Sequence, residues 1–192
     1  PLPRPALSVS SERRESVMNK FSLDTTKPVL VLCPGAEFGE AKKWPAQSYA
    51  VVAKNWLKNA GQVWILGSGN DSQDAFRLKS TLPFELADCC HDLTGKTSLG
   101  EVIDLMACVV QVVSNDSGLM HIAAALAKPL VVIYGSTSPT FTPPLSEKVG
   151  IVSLNLDCSP CFKRTCPLGH TNCLKQLVPD MVIHAMEELK TS

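Results

Sequence analysis

From Pro28 onward, short apolar runs alternate with segments whose apolar residues recur at helical spacing. Val29 to Cys33 is apolar without a break, the pattern of a strand buried on both faces. Tyr49, Val52, Ala53, Trp56, Leu57 and Ala60 then share one helical face, and Gly61 stops it. Residues 63–66 read as a second strand halted by Gly67-Ser68-Gly69, followed by a helix over 72–82 and a short strand within 89–93. Leu99, Val102, Ile103 and Met106 stripe another helix, with a β-branched strand at 109–113 behind it. A helix over 118–127, strands at 130–134 and 151–154, and a last helix striped by Val182, Ala185, Met186 and Leu189 complete the series. Strands alternating with helices imply right-handed βαβ units. The predicted fold is α/β: a Rossmann-like open parallel sheet with helices on both faces, over residues 28–192.

Residues 1–27 break this rhythm. Pro1, Pro3 and Pro5 alternate with Leu2, Arg4 and Ala6, and a Ser/Glu/Arg stretch follows. Such a segment is expected to bury almost nothing, and it reads either as an interdomain linker or as a disordered lead-in. Eighteen basic residues balance eighteen acidic ones, so net charge supplies no reason to bind nucleic acid. No apolar run reaches bilayer length, and the start lacks the apolar core of a secretory signal. A cytoplasmic location is the expectation, which makes disulfides less favoured among the eight cysteines than free thiols or metal ligands.

In a parallel open sheet, ligands sit beyond the carboxyl ends of the strands. The loop after the first strand carries Gly35, where a ligand can approach the backbone closely, and Lys42 and Lys43, each able to present an ammonium to a phosphate. After the second strand, Asp71 is either an acceptor for ribose hydroxyls or the cap of the next helix. Ser114-Asn115-Asp116-Ser117-Gly118-Leu119-Met120-His121 links a β-branched strand to a helix start, whose free N–H groups favour an anion such as a diphosphate. Asp116 is placed there to accept bonds from sugar hydroxyls, and His121 falls in the first turns of the helix. Ordinary capping competes with this reading. The loop from Tyr134 to Pro139 adds hydroxyls and a glycine. Together these loops describe a site for a diphosphate-bearing nucleotide.

The motifs P-G-A-E-F-G-x-A-K-x-W-P, S-N-D-S-G-L-M-H and Y-G-S-T-S-P-x-F-T-P-P-L-S occur in this order between Pro34 and Ser146. They resemble the C-terminal, donor-binding half of the ADP-heptose-dependent lipopolysaccharide heptosyltransferases, in glycosyltransferase family 9. The resemblance implies a GT-B architecture and inverting transfer of L-glycero-D-manno-heptose from ADP-heptose to the inner-core heptose of lipopolysaccharide. By the same resemblance, Lys42 stabilises the departing diphosphate, Asp116 binds heptose hydroxyls, Ser117 and Gly118 cradle the diphosphate, and His121 lies close to it. Gly35, Asp71 and Thr97 complete the implied donor set, with Thr97 in the segment that meets adenine. The catalytic base is implied to belong to the N-terminal, acceptor-binding domain, so this half alone is expected to be inactive. No divalent metal is implied for the donor, and no D-x-D motif occurs. Peripheral association with the inner face of the inner membrane goes with such an acceptor.

Cys158-x2-Cys161-x4-Cys166-x6-Cys173, with His170 between, stands apart from these motifs. Free thiols, a structural zinc or iron–sulfur site, and disulfides are all open on spacing alone. Two further functional readings stand beside the main one. One is a non-catalytic nucleotide-binding module whose cysteine loop makes a zinc-dependent interaction site; the other is a heptosyltransferase with a different acceptor.

Overall fold

The uncharged run Val29–Cys33 forms β1 at the middle of the sheet, and all five of its residues are buried. The structure, a computed structural model, describes residues 4–191. Around β1 lie β2 (Gln62–Ile65), β3 (Cys90–Asp92), β4 (Gln111–Asn115), β5 (Leu130–Tyr134) and β6 (Val149–Ser153), in the order β3-β2-β1-β4-β5-β6. Every pairing is parallel. The predicted open parallel sheet is therefore present.

The helices are α1 (Ser11–Lys20), α2 (Ala46–Lys58), α3 (Ser72–Ser80), α4 (Phe84–Ala87), α5 (Leu99–Ala107), α6 (Gly118–Ala125), α7 (Asn172–Lys175) and α8 (Pro179–Thr191). Strand alternation divides the core in two. Leu30, Leu32, Val63 and Ile65 pack with the apolar stripes of α2, α3 and α8. Val29, Val31, Cys33 and Trp64 pack with α1, α5 and α6 on the other face. Each strand side chain alternates in direction, so an unbroken apolar run satisfies both faces at once.

Chain order runs outward from β1 toward β3 on one side, and from β4 toward β6 on the other. The loops after β1 and β4 thus diverge and leave a crevice between them, the usual ligand position in this topology.

Residues 11–20 depart from the expectation of a lead-in that buries almost nothing. Ser10 caps α1 by accepting the Arg13 N–H at 3.3 Å, and Val17 is buried. Met18, Phe21 and Leu23 pack against the same core. Arg13 grips both carboxylate oxygens of Asp104 on α5, at 3.2 and 2.8 Å. Only one turn of apolar residues makes the contact, too short a stripe to stand out in the sequence. Pro1, Leu2 and Pro3 lie outside the described residues. Elsewhere β4 begins two residues later than the apolar run suggests and ends on polar Ser114 and Asn115, both buried.

Candidate functional site

Asn115 ends β4 and ties the loop after β1 to it. Its amide nitrogen donates to the carbonyls of Pro34 at 2.6 Å and Gly35 at 3.4 Å. Its side-chain oxygen accepts from the Tyr49 hydroxyl at 3.0 Å and the Trp44 N–H at 3.2 Å. Trp44 is itself locked, edge-on to Tyr49 with ring centroids 5.0 Å apart and its indole N–H bonded to the Leu177 carbonyl at 3.0 Å. Both ends of the loop are thereby fixed, and the 3-10 turn Glu40–Lys42 between them holds Lys42 in one place.

Lys42 Nζ lies 2.6 Å from Asp116 Oδ2, with side chains 11% and 4% exposed. The same oxygen accepts the Thr137 hydroxyl at 2.6 Å and the Thr142 hydroxyl at 3.2 Å. Oδ1 accepts no hydrogen bond among the described residues. The Lys42 ammonium also stands 4.9 Å from the Phe38 ring centroid, and the Arg164 guanidinium 5.3 Å from it. Two cations and a carboxylate are thus held together at the mouth of the crevice. Tyr134 closes the back: its hydroxyl donates to the Thr142 carbonyl at 2.6 Å. Burial, reinforced by the nearby Asp116 charge, pushes its phenol pKa up.

Beside this cluster is a cavity of about 440 Å³, well within the range for small-molecule sites. Leu99 and Val102 of α5 and Leu119 and Ile122 of α6 form its apolar wall. Gly35, Asp71, Thr97, Ser117 and Gly118 line it too. A Cβ on Gly35 would come within 2.4 Å of the Asp71 carboxylate, so any other residue there would have to displace it. The Thr97 hydroxyl is buried without a partner. Ser117 starts α6 from extended backbone and makes no side-chain capping bond. The first N–H groups of α6 are therefore unshared by a cap, as an anion site requires.

Two expectations change. Lys43 does not join Lys42. Its ammonium sits 3.3 Å from Glu40, 3.3 Å from Asp74 and 3.8 Å from Asp71. Burial pulls its pKa down, but the Glu40 and Asp74 charges outweigh that and hold it above the ordinary lysine value. Asp71 is a cavity residue that also serves as a cap, accepting the Ser68 N–H and hydroxyl, both at 2.9 Å. His121 is exposed on α6 and is not part of the cavity wall. The sequence reading missed Asn115, Thr137, Thr142 and Phe38 as site residues. Thr137 and Thr142 lie 21 and 26 residues from Asp116, and only the β4–β5 pairing brings them to it.

The cysteine loop packs directly behind the site. Its backbone meets the Lys42 turn where the Ala41 N–H bonds to the Arg164 carbonyl at 3.1 Å, and a Cβ on Gly39 would strike that carbonyl at 2.6 Å. It meets the loop after β5 where the Phe162 N–H bonds to the Ser136 carbonyl at 2.7 Å and the Ser159 hydroxyl to the Gly135 carbonyl at 2.5 Å. Cys158, Cys161, Cys166 and Cys173 are not joined in disulfides. Backbone N–H groups, that of Thr171 foremost, hold the Cys166 thiol below its usual pKa, whereas burial and then the other three thiols raise that of Cys173. Among the described residues, no three His, Cys, Asp or Glu side chains are gathered in a metal-holding arrangement. Nor is any helix among them long and apolar enough to cross a membrane.

Comparison with known proteins places the chain in a family. The chain is 39% identical to lipooligosaccharide heptosyltransferase 2 of Haemophilus influenzae, over 98% of its own length and 56% of that protein. It is 39% identical to lipopolysaccharide heptosyltransferase 2 of Escherichia coli, over 98% of the chain and 54% of that protein. The solved structure of E. coli ADP-heptose LPS heptosyltransferase II superposes with a TM-score of 0.88 at 38% identity, covering 98% of this chain and 54% of that one. The chain therefore spans about half the length of the curated relatives it matches. The sequence model of glycosyltransferase family 9 (heptosyltransferase) matches residues 1–172, and the chain belongs to that family.

Proposed function

We propose that this chain forms the donor-binding half of an inverting heptosyltransferase that uses ADP-heptose and extends the inner core of lipopolysaccharide. The observation that carries the reading is the cluster of Lys42, Asp116, Thr137 and Thr142 at the start of α6, beside a 440 Å³ cavity with an apolar wall. The adenine occupies the slot between α5 and α6, with the Thr97 hydroxyl free to bond it. The diphosphate lies over the N–H groups of Ser117 and Gly118, within reach of Lys42. The heptose hydroxyls meet Asp116.

In the transfer, an acceptor oxygen bonds to the anomeric carbon as the bond from that carbon to the diphosphate oxygen breaks, and configuration inverts. Negative charge grows on the departing ADP. A fixed ammonium and a helix N-terminus stabilise that charge without reorganising. The acceptor proton goes to a base outside this chain, which the family resemblance assigns to the N-terminal domain. A cytoplasmic location, at the inner face of the inner membrane, follows from the nature of such an acceptor.

Calorimetry with ADP-heptose, ADP-glucose and UDP-glucose tests the reading. ADP-heptose is expected to bind at least about tenfold more tightly than either competitor, a gap of about 1.4 kcal/mol. Equal affinity for all three would sink the transferase reading and leave a nucleotide-binding module with no sugar preference.

A further inference from the structure

We propose that Cys158, Cys161, Cys166 and Cys173 bind one soft divalent metal ion, zinc in the first instance, as a structural site that braces the Lys42 turn. All four cysteines line a single cavity of about 20 Å³, together with His170, Ala41 and Ser136. That volume is close to one water-sized sphere, the size of a single ion. The four sulfurs come from one short stretch, three from the loop and Cys173 from α7, with spacings of two, four and six residues, and four thiolates are the donor set of structural zinc.

One further feature of the cavity points to charged sulfur. Ser136 is 1% exposed, lines the same cavity, and its hydroxyl has no hydrogen-bond partner. A buried hydroxyl is costly without an acceptor, and a metal-bound thiolate in the same cavity would supply one. The thiols are not gathered to coordination distance. Protonated sulfurs have nothing to draw them together; a cation does, as each S–H proton passes to solvent and a sulfur–metal bond replaces it.

The ion's role follows from what else touches the cavity. Ala41 is next to Lys42 and Ser136 is next to Thr137, the two groups that converge on Asp116. The loop's backbone bonds to Ala41 and Ser136 complete the clasp. Fixing the loop with a metal therefore fixes the Lys42–Asp116–Thr137 arrangement from behind, without the ion meeting the substrate.

The test uses the protein made without a polyhistidine tag in zinc- and iron-supplemented medium and purified under nitrogen. Elemental analysis is expected to find about one equivalent of zinc or iron, and less than about a tenth in the Cys161→Ser, Cys173→Ser double variant. Should that variant fail to fold, Co²⁺ added to metal-free wild-type protein provides the reading. Thiolate-to-cobalt charge transfer and strong tetrahedral d–d bands, saturating at about one equivalent, are then expected. Wild-type protein that carries less than about a tenth of an equivalent and shows no charge transfer with Co²⁺ overturns the proposal. Retention of the metal by the double variant also overturns it, because the ion would then lie elsewhere.

Discussion

Lys42 and Asp116, 74 residues apart in the chain, meet at 2.6 Å at the mouth of the crevice between β1 and β4. Both side chains of the pair are largely buried. Lys42→Gln is expected to weaken ADP binding by about ten- to a hundredfold, the worth of one charge-assisted contact. It should also cost about 1–3 kcal/mol of stability, less than a fully orphaned carboxylate, because Thr137 and Thr142 still donate to Asp116. Calorimetry with ADP and urea unfolding measure the two effects separately. Unchanged ADP affinity would remove Lys42 from the diphosphate site.

Asn115→Ala removes four hydrogen bonds from a buried position and leaves the Pro34 carbonyl and the Trp44 backbone N–H short of a partner. About 3–5 kcal/mol of stability should be lost, read as a lower urea midpoint with an unchanged slope. Asn115→Asp cannot donate to Pro34 and is expected to rescue little. Full rescue by aspartate would mean that the amide is not what ties the loop.

Two glycines of the cavity wall should part company. Gly35→Ala drives a methyl into the Asp71 carboxylate at 2.4 Å and is expected to cost about 1–3 kcal/mol. Gly118→Ala meets nothing within 4 Å and should leave the thermal midpoint unchanged or slightly raised. Yet the new methyl stands at the anion-binding end of α6, so ADP affinity should fall. A variant that melts as usual and binds ADP as usual would move the diphosphate away from Gly118.

Glu101 on α5 bonds to Lys20 on α1, and that contact, with help from Ser98, lowers its pKa to about 2. A depressed carboxylate pKa stabilises the fold above the unfolded value and loses that contribution as pH falls through the folded one. Docking of α1 should therefore weaken as pH falls from about 4.5 to about 2. NMR titration of the Glu101 side chain checks this, and Lys20→Met should move its midpoint up toward 4.5. A midpoint that ignores the substitution would rule out Lys20 as the cause.

The central strands were legible because burial on both faces demands unbroken apolar runs, and Val29–Cys33 and Leu130–Tyr134 are such runs. Asp116, Ser117 and Gly118 were legible as a strand-to-helix turn with free N–H groups. Asn115 was not, because a buried amide has no period, and its four partners come from residues 34 to 49. Lys42 and Lys43 are adjacent and chemically alike, so spacing gave both the same task. The 3-10 turn sends one to Asp116 and the other to three carboxylates. The cysteines announced themselves by spacing, but their shared cavity with Ala41 and Ser136 exists only in three dimensions.

The packing of α1 redraws the edge of the folding unit. Trimming the chain to begin at Pro28 would strip Val17 from the core it shares with Val29 and Val31, and would release the grip of Arg13 on Asp104. That grip steadies α5, whose Leu99 and Val102 form one side of the nucleotide slot. A minimal soluble fragment for ligand screening should accordingly start ahead of Ser10. One cut at the proline would keep every ligand-facing residue and still deform the pocket they line.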